Sequence, residues 1–326
     1  MARAERSSPI NMFGGGFAEE YRGIITILGG LGLVALGIWL GSLFFSDGYN
    51  TNVYTEFLSV AATSLVLDQL NRRRDRAELK QRLLNELRSS AVGQGTAALD
   101  WLRRENWIKD DTLEDVDLYR VNWENAYIGD LNMEEATLIG ARFANVTNVI
   151  TDDDGETESK PVNFKHANLR FSHLERAQLW SVDMEGAALV NADLHDADMV
   201  SSNLERVNAR EANFSGARLL RTNLRKAYLR LVNLQCSDLR YASLIGTDLR
   251  QANLAGADLR YATLDDVIWQ GEDYKGNTVT ATLPDGEKWS VYTDMEKYTN
   301  RNHADFAITL QRINRIRSGL SYPTIE

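Results

Sequence analysis

The sequence predicts an all-β solenoid that is preceded by helices. Three observations predict it. A leucine or comparable residue recurs every five positions through 116–150 and 162–271, a small residue stands two positions before most of these centres, and an uncharged run, Gly23–Phe45, lies ahead of the repeats. A period of five fits neither a helix, at 3.6 residues per turn, nor a straight strand, at two.

The uncharged run predicts a transmembrane helix. At the rise of an α-helix it is about 30 Å long, the thickness of a bilayer core. We expect a second span at 53–70, where Glu56 and Asp68 lie near the two ends and reach the headgroup layer. The connector 46–52 carries no Lys or Arg, whereas arginines precede the first span and follow the second. This distribution places both flanks on the cytoplasmic side.

Two alternatives stay open for this segment. Residues 53–70 could instead lie on the membrane as an amphipathic helix, which would place the bulk of the protein outside. Gly37 and Gly41 are spaced so that another helix can approach closely. Their partner is either the second span of the same chain or a second copy of the chain.

A helical stalk is expected after the spans. Leu79, Leu83 and Leu87 fall at four-residue spacing and form one apolar stripe. A second helix at about 96–106 is expected to plug the open N-terminal end of the solenoid, since the end of a repeat stack needs a cap.

The repeat divides into two residues plus three. The small residue and the leucine, two positions apart, both point inward as in a strand, and the other three residues turn a corner. Successive coils then stack through backbone hydrogen bonds at about 4.8 Å. No unit buries its own leucine, so only the stack is stable.

Runs such as ADLHD (192–196), ANLAG (252–256) and ADLRY (257–261) resemble the pentapeptide-repeat family. The resemblance covers 116–271 and implies a right-handed quadrilateral parallel β-helix with four repeats per coil. Two spans, an arginine-rich stalk and then repeats also resemble bacterial membrane members. This implies a location in the inner membrane with both termini in the cytoplasm. The expected divisions are an N-terminal segment 1–22, a transmembrane hairpin 23–70, a stalk and cap 71–115, the solenoid 116–271, and a C-terminal cap 272–326.

Local departures from the pattern have their own predictions. Ala209 is an undersized centre and predicts a small void or a pinched coil. The acidic insert 151–161 predicts a loop at one corner, since it lacks the ligand spacing of a calcium loop. In the tail, the turn Pro284–Gly286 predicts a hairpin that covers the last coil, and 303–320 predicts a basic amphipathic helix that packs on this coil or lies on lipid.

Stacked arginines are the candidate interaction surface. With four repeats per coil, residues twenty apart form columns, and arginines stacked at this spacing repel unless a carboxylate or an anion lies between them. The candidates for an anionic partner are one column with Arg170, Arg210, Arg230 and Arg250 and a second column with Arg240 and Arg260. The alternative is pairing within the chain, with Asp238, Asp248 and Asp258.

Nothing in the sequence predicts catalysis, a cofactor or a metal site. The histidines follow no ligand spacing, and Cys236 is a lone cysteine. We therefore expect a non-enzymatic scaffold that docks an unknown protein partner at the membrane, with a homo-oligomer possible through the hairpin. The alternatives are a mimic of DNA that binds gyrase and an oligomeric membrane effector or pore. The solenoid outside the insert is only weakly acidic and carries an arginine column, which argues against the mimic of DNA. A membrane anchor would also keep the protein away from most of the nucleoid, so nucleic acid is not an expected partner.

Overall fold

The computed structural model describes residues 48–91, 93–105, 107, 113–151, 154–272 and 275–326. These fall into two compact units, one ending at Arg82 and one running from Leu83 to Glu326. The first predicted span, 23–45, and the pair Gly37 and Gly41 lie outside the described residues.

Helix α1 is continuous from Gly48 to Leu87. The expected boundary between a second span, 53–70, and a separate stalk is therefore absent from the backbone. Within the described residues, no helix is both long enough and apolar enough to cross a membrane. Beyond 67 the helix is strongly charged, with ion pairs one turn apart between Asp68 and Arg72 (2.8 Å) and between Arg74 and Glu78 (2.7 Å).

Helix α2, Gln94–Arg104, packs against the first coil at Trp123. Its residues Leu99 and Leu102 are fully buried. Trp123 in the first coil donates its indole N–H to the carbonyl oxygen of Leu87 at 3.1 Å. The last turn of α1 is therefore also tied to the first coil.

The solenoid is built from backbone bridges between residues twenty apart. Parallel bridges join Asp183 to Asn203, Asn203 to Asn223, and Asn223 to Ser243, and the same step recurs around the coil. Twenty residues are four repeats, so each coil has four sides. The leucine centres and the small residues two positions earlier are buried up to Leu259, which confirms the predicted inward pair, whereas Ala262 and Leu264 are partly exposed.

Each corner is a tight turn with a left-handed residue. In the repeat of Leu204, the amide of Val207 donates to the Leu204 carbonyl at 3.2 Å, and Arg206 between them has φ of 56°. A positive φ at the third turn position is typical of a type II turn. Equivalent positions along the solenoid repeat this geometry with side chains other than glycine, so many corners hold a conformation that such residues rarely adopt.

Two hairpins project from the coils without disturbing their register. Strands β1 (Val149–Thr151) and β2 (Thr157–Ser159) pair antiparallel within the acidic insert. Across it the bridges skip to 31 residues, as from Asn132 to Asn163, and then return to 20. Strands β3 (Gln270–Glu272) and β4 (Thr278–Thr280) form a second hairpin that the sequence pattern did not predict.

The C-terminal segment closes the last coil. Thr282 bridges in parallel to Asn253 and antiparallel to Lys288, so the chain after the second hairpin supplies a final rung. The Leu283 amide donates to the Glu287 carbonyl at 2.7 Å across the predicted turn. Two helices follow, α3 (Glu296–Thr299) and α4 (Phe306–Gly319).

Helix α4 packs on the solenoid, which is one of the two arrangements left open by the sequence. Ile313 is buried, and the guanidinium of Arg317 donates to the carbonyls of Cys236 (3.0 Å) and Gly256 (2.8 Å) in two successive coils. Through these bonds, helix α4 is held against the backbone of the solenoid.

The core changes character along the axis. Near the N-terminal end Trp123, Phe143 and Phe164 pack edge to face, with centroid separations of 5.6 Å and 6.2 Å. Later coils have mostly leucine centres. Ala209 is fully buried, and Phe214, on the next side of the same coil, is buried as well.

Candidate interaction surface of the solenoid

Ladders of polar side chains cover the outward positions. The side-chain amide of Asn223 donates to Oδ1 of Asn203 (3.1 Å), and that of Asn203 donates to Oδ1 of Asp183 (3.0 Å). The same arrangement joins Asn233 to Asn213 (3.1 Å) and Asn213 to Asp193 (2.9 Å). These positions are occupied with stabilising bonds between coils.

The six candidate arginines do not form one face. Their columns are ten residues apart, which is half a coil, so they lie on opposite sides of the solenoid. One side carries Arg170, Arg210, Arg230 and Arg250, and the other carries Arg240 and Arg260.

Three of the arginines are held by aspartates two residues earlier. The guanidiniums of Arg240, Arg250 and Arg260 contact both carboxylate oxygens of Asp238, Asp248 and Asp258, respectively, at 2.6–3.1 Å. Arg260 and Asp258 are nearly buried, with 11% and 7% of their side chains exposed. The structure thus gives these three arginines the internal pairing that the sequence left as one alternative.

The electrostatics of the Asp248 pair agree with its geometry. Burial acts to raise the pKa of Asp248, but the hydrogen bonds and positive charge of Arg250 outweigh it, so that the pKa is lowered overall. The pKa of Arg250 is raised, chiefly by its hydrogen bond to Asp248. Both groups are charged at neutral pH.

The remaining arginines of the first side lack the paired contacts with a carboxylate that Arg250 makes. Arg230 donates to the side-chain oxygen of Gln251 (3.2 Å and 3.1 Å), a neutral partner, while its positive charge contributes to the lowered pKa of Asp248. Arg210 contacts Glu211 at 2.7 Å but has 56% of its side chain exposed. Arg170 lies over the ring of Phe171 at 5.9 Å.

Exposed apolar side chains lie next to these arginines. Tyr228 is 58% exposed and stands two residues before Arg230, and Leu231, at 37%, follows it. We call Arg210, Tyr228, Arg230 and Leu231 the Tyr228 patch. The sequence analysis named its arginines but missed Tyr228 and Leu231, although their positions in the five-residue period already placed them outside the core.

A second feature missed from the sequence is a cluster of histidines and carboxylates. His173 and Glu175 lie in one coil, and Asp193 and His195 lie at the equivalent positions of the next. Candidate ligand atoms of Glu175, Asp193 and His195 all lie within 4.8 Å of one another. The signal was the twenty-residue register, which brings pairs of this kind together where spacing within one repeat shows only isolated histidines.

A cleft of about 490 Å³ lies between the last coils and the C-terminal residues. It is lined by Arg240, Arg260, Arg301 and Arg317 together with Asp238, Asp258 and the final residues 324–326. Arg240 and Arg260 are paired to the aspartates and Arg317 to backbone carbonyls, so most of this positive charge is used by the fold.

Comparison with known proteins agrees with this architecture. Residues 163–199, 197–235 and 233–268 match the family model "Pentapeptide repeats (8 copies)". Residues 163–268 are therefore pentapeptide repeats, and proteins built from such repeats adopt a right-handed quadrilateral β-helix. Four sides per coil and a register of twenty residues are the features of that fold seen here.

Several solved structures are similar over parts of the chain. A pentapeptide repeat protein from the Arabidopsis thaliana thylakoid lumen is 23% identical and covers 32% of this chain and 72% of its own, with a TM-score of 0.31. HetL from Nostoc sp. strain PCC 7120, involved in heterocyst differentiation regulation, is 21% identical over 58% of this chain and 98% of its own (TM-score 0.20). Full-length QnrB1, a plasmid-mediated fluoroquinolone resistance protein, is 16% identical over 52% and 91% (TM-score 0.20).

With TM-scores this low, none of these similarities bears on what this chain does. A search of curated proteins found no match.

Proposed function

We propose that this chain is a non-enzymatic scaffold whose solenoid docks a protein partner through the Tyr228 patch. The observation that supports it most is the coincidence, on one side of a rigid stack, of an exposed tyrosine and an arginine, Arg230, whose hydrogen bonds go to the neutral side chain of Gln251. Tyr and Arg dominate the energetic centres of protein interfaces. These side chains fit a partner surface on which carboxylates surround an apolar patch.

The assignment to this side rests on the contrast between the two arginine columns. Arg240 and Arg260 already satisfy their donors on Asp238 and Asp258. Recruiting them to a partner would leave a nearly buried Asp258 without its cation, which is costly. Arg210 and Arg230 can turn to a partner at much lower cost, since their present contacts are exposed or neutral.

We further propose that residues 23–45 anchor this scaffold in a bilayer, the inner membrane of a bacterium, with the solenoid in the cytoplasm. The support is the uncharged run and the arginines that flank it in the sequence. Full-length chain and a chain beginning at residue 48 are compared after expression, fractionation and an alkaline wash. The full chain should stay with the membrane and the shorter chain should not; equal release of both would contradict the anchor.

The docking test uses three baits in a pull-down from gently solubilised native membranes. They are the wild type, the double variant Tyr228→Ala/Arg230→Glu, and the matched control Tyr241→Ala/Arg221→Glu. The control removes a tyrosine and an arginine from the opposite side, where Arg221 lies over the Tyr241 ring at 5.9 Å. Purified partner is then titrated against each bait to measure Kd.

We expect the Tyr228 patch variant to weaken binding by about a hundredfold or more, as loss of a central tyrosine and a charge reversal imply. The control should bind within a factor of about three. Equal binding by all three baits would refute this side as the docking surface. A wild-type bait that retains no partner in titration would refute the scaffold itself.

The gyrase alternative finds little support in the surface of the solenoid. Mimicry of DNA requires carboxylates in place of phosphates, whereas described arginines line two opposite sides. A purified chain that competed with DNA for gyrase would overturn this view.

A further inference from the structure

The cluster of histidines and carboxylates on another side of the solenoid consists of side chains that can coordinate a metal ion. His173 and Asp193 are bridged partners in consecutive coils, and Glu175 and His195 occupy the matching positions two residues later. The four side chains therefore form a square, two along the axis and two across it, held by rigid backbone on both coils.

Short contacts already cross this square. His195 Nδ1 lies 3.1 Å from Asp193 Oδ1, and His173 Nδ1 lies 2.9 Å from Glu175 Oε1. The ligand atoms of Glu175, Asp193 and His195 fall within 4.8 Å of one another, so one ion could reach all three with small rotations. Ligand atoms around a tetrahedral ion with bonds of about 2.0–2.1 Å stand a little over 3 Å apart, close to the contacts present.

The second carboxylate oxygen of Glu175 is an independent sign of a missing partner. Glu175 Oε2 is buried from solvent and has no hydrogen-bond partner among the described atoms. A buried acceptor of this kind is costly to leave unpaired. The other oxygen, Oε1, faces the cluster and contacts His173 Nδ1, and 20% of the Glu175 side chain is exposed.

We propose that Glu175, Asp193 and His195 form a binding site for a divalent first-row transition metal such as Zn²⁺, with His173 positioned to act as a fourth ligand. Imidazole nitrogen and carboxylate oxygen are ligands that Zn²⁺ and its neighbours accept, whereas Mg²⁺ prefers oxygen ligands in an octahedron. Binding clamps two consecutive coils together through side chains, in addition to the backbone bridges.

The site has a ready support beyond its ligands. Asp193 Oδ1 accepts from the amide of Asn213 (2.9 Å) and from the backbone N–H of His195 (3.2 Å). These bonds hold the Asp193 carboxylate in place. Partners of this type commonly orient metal ligands.

The test begins with Co²⁺ on the full-length chain, because bound Co²⁺ reports its ligands through visible absorption. We expect saturable bands of a four- or five-coordinate ion at one equivalent, displaced by one equivalent of Zn²⁺. Zn²⁺ is then titrated by calorimetry into the wild type, His195→Gln, Glu175→Gln and the control His166→Gln, with Mg²⁺ as a control ion. His166 is a histidine of the same solenoid outside the cluster.

We expect His195→Gln and Glu175→Gln to weaken Zn²⁺ binding at least tenfold and to abolish the Co²⁺ bands, with His166→Gln unchanged. Circular dichroism checks that each variant retains the solenoid. Absence of Co²⁺ bands in the wild type would overturn the proposal without reference to any variant. Zn²⁺ binding that His195→Gln and Glu175→Gln leave unchanged would also overturn it.

Discussion

The buried pair Ala209 and Phe214 offers a direct test of how the solenoid packs its core. The undersized centre predicts a void from sequence alone, but both residues are buried in the same coil, on adjacent sides. The larger ring of Phe214 can occupy the volume that a leucine at 209 would fill. On this reasoning Ala209→Leu overpacks the coil and lowers the free energy of unfolding by about 1–3 kcal/mol.

A double-mutant cycle distinguishes compensation by the Phe214 ring from a real void at residue 209. Phe214→Leu alone removes buried volume and is expected to cost about 1–2 kcal/mol, in the lower part of the range for core truncations. In Ala209→Leu/Phe214→Leu the two volume changes compensate, so the coupling free energy should be about 1–2 kcal/mol in the stabilising direction.

Urea denaturation followed by circular dichroism measures this cycle, and the slope of each transition must be compared because repeat proteins can lose cooperativity. Additive effects, with coupling below about 0.5 kcal/mol, would refute the compensation. A stabilising Ala209→Leu would show instead that a real void exists at 209.

Three further predictions follow from contacts outside the centres. Asp258→Asn should lower the free energy of unfolding by about 1–3 kcal/mol, because Arg260 loses a nearly buried charged partner, whereas Arg210→Ala should change it by less than about 1 kcal/mol in the same urea assay. The pKa of Asp248 is lower in the folded chain than its unfolded value near 4, so its stabilisation is present above that pH and is lost as pH falls through the folded pKa. Asp248→Asn should therefore flatten the acid limb of thermal stability against pH, and an unchanged limb would contradict this. Gly256→Ala should destabilise more than Gly276→Ala by thermal melting, since both have positive φ (77° and 79°) but only at 256 would the new methyl group meet an atom, Cys236 Sγ at 2.8 Å.

Most of the fold could be predicted from the five-residue periodicity of the sequence. The inward pair of each repeat is written in the sequence as a small residue and a leucine, and burial confirms that pattern. The insert at 151–161 was visible because it breaks the period, and the bridges skip there and resume. The hairpin at 270–280 was missed because it follows the last repeat, where no later repeat shows that the phase has been interrupted.

The helical segment shows where sequence reasoning was less secure. A division between a span at 53–70 and a stalk rested on composition, but nothing in the backbone breaks helix α1 before Leu87. Charge near 70 changes what a helix can face without ending it, because charged residues are good helix formers. Helix α1 ends at Leu87, ahead of Ser89 and Ser90, and Gly93, with a φ of 82°, is the N-cap of helix α2.

The surface could be predicted only as far as the register was used. The sequence separated Arg230 and Arg240 into two columns but offered both as one candidate face, although ten residues are half a coil and place the columns on opposite sides. The same register, applied to histidines, brings His195 beside Glu175 from the preceding coil. Between the two hairpins, a sequence distance translates into a spatial one through the remainder after division by twenty. Each hairpin adds its own length to this count, because the bridges there join Asn132 to Asn163 and Asn253 to Thr282.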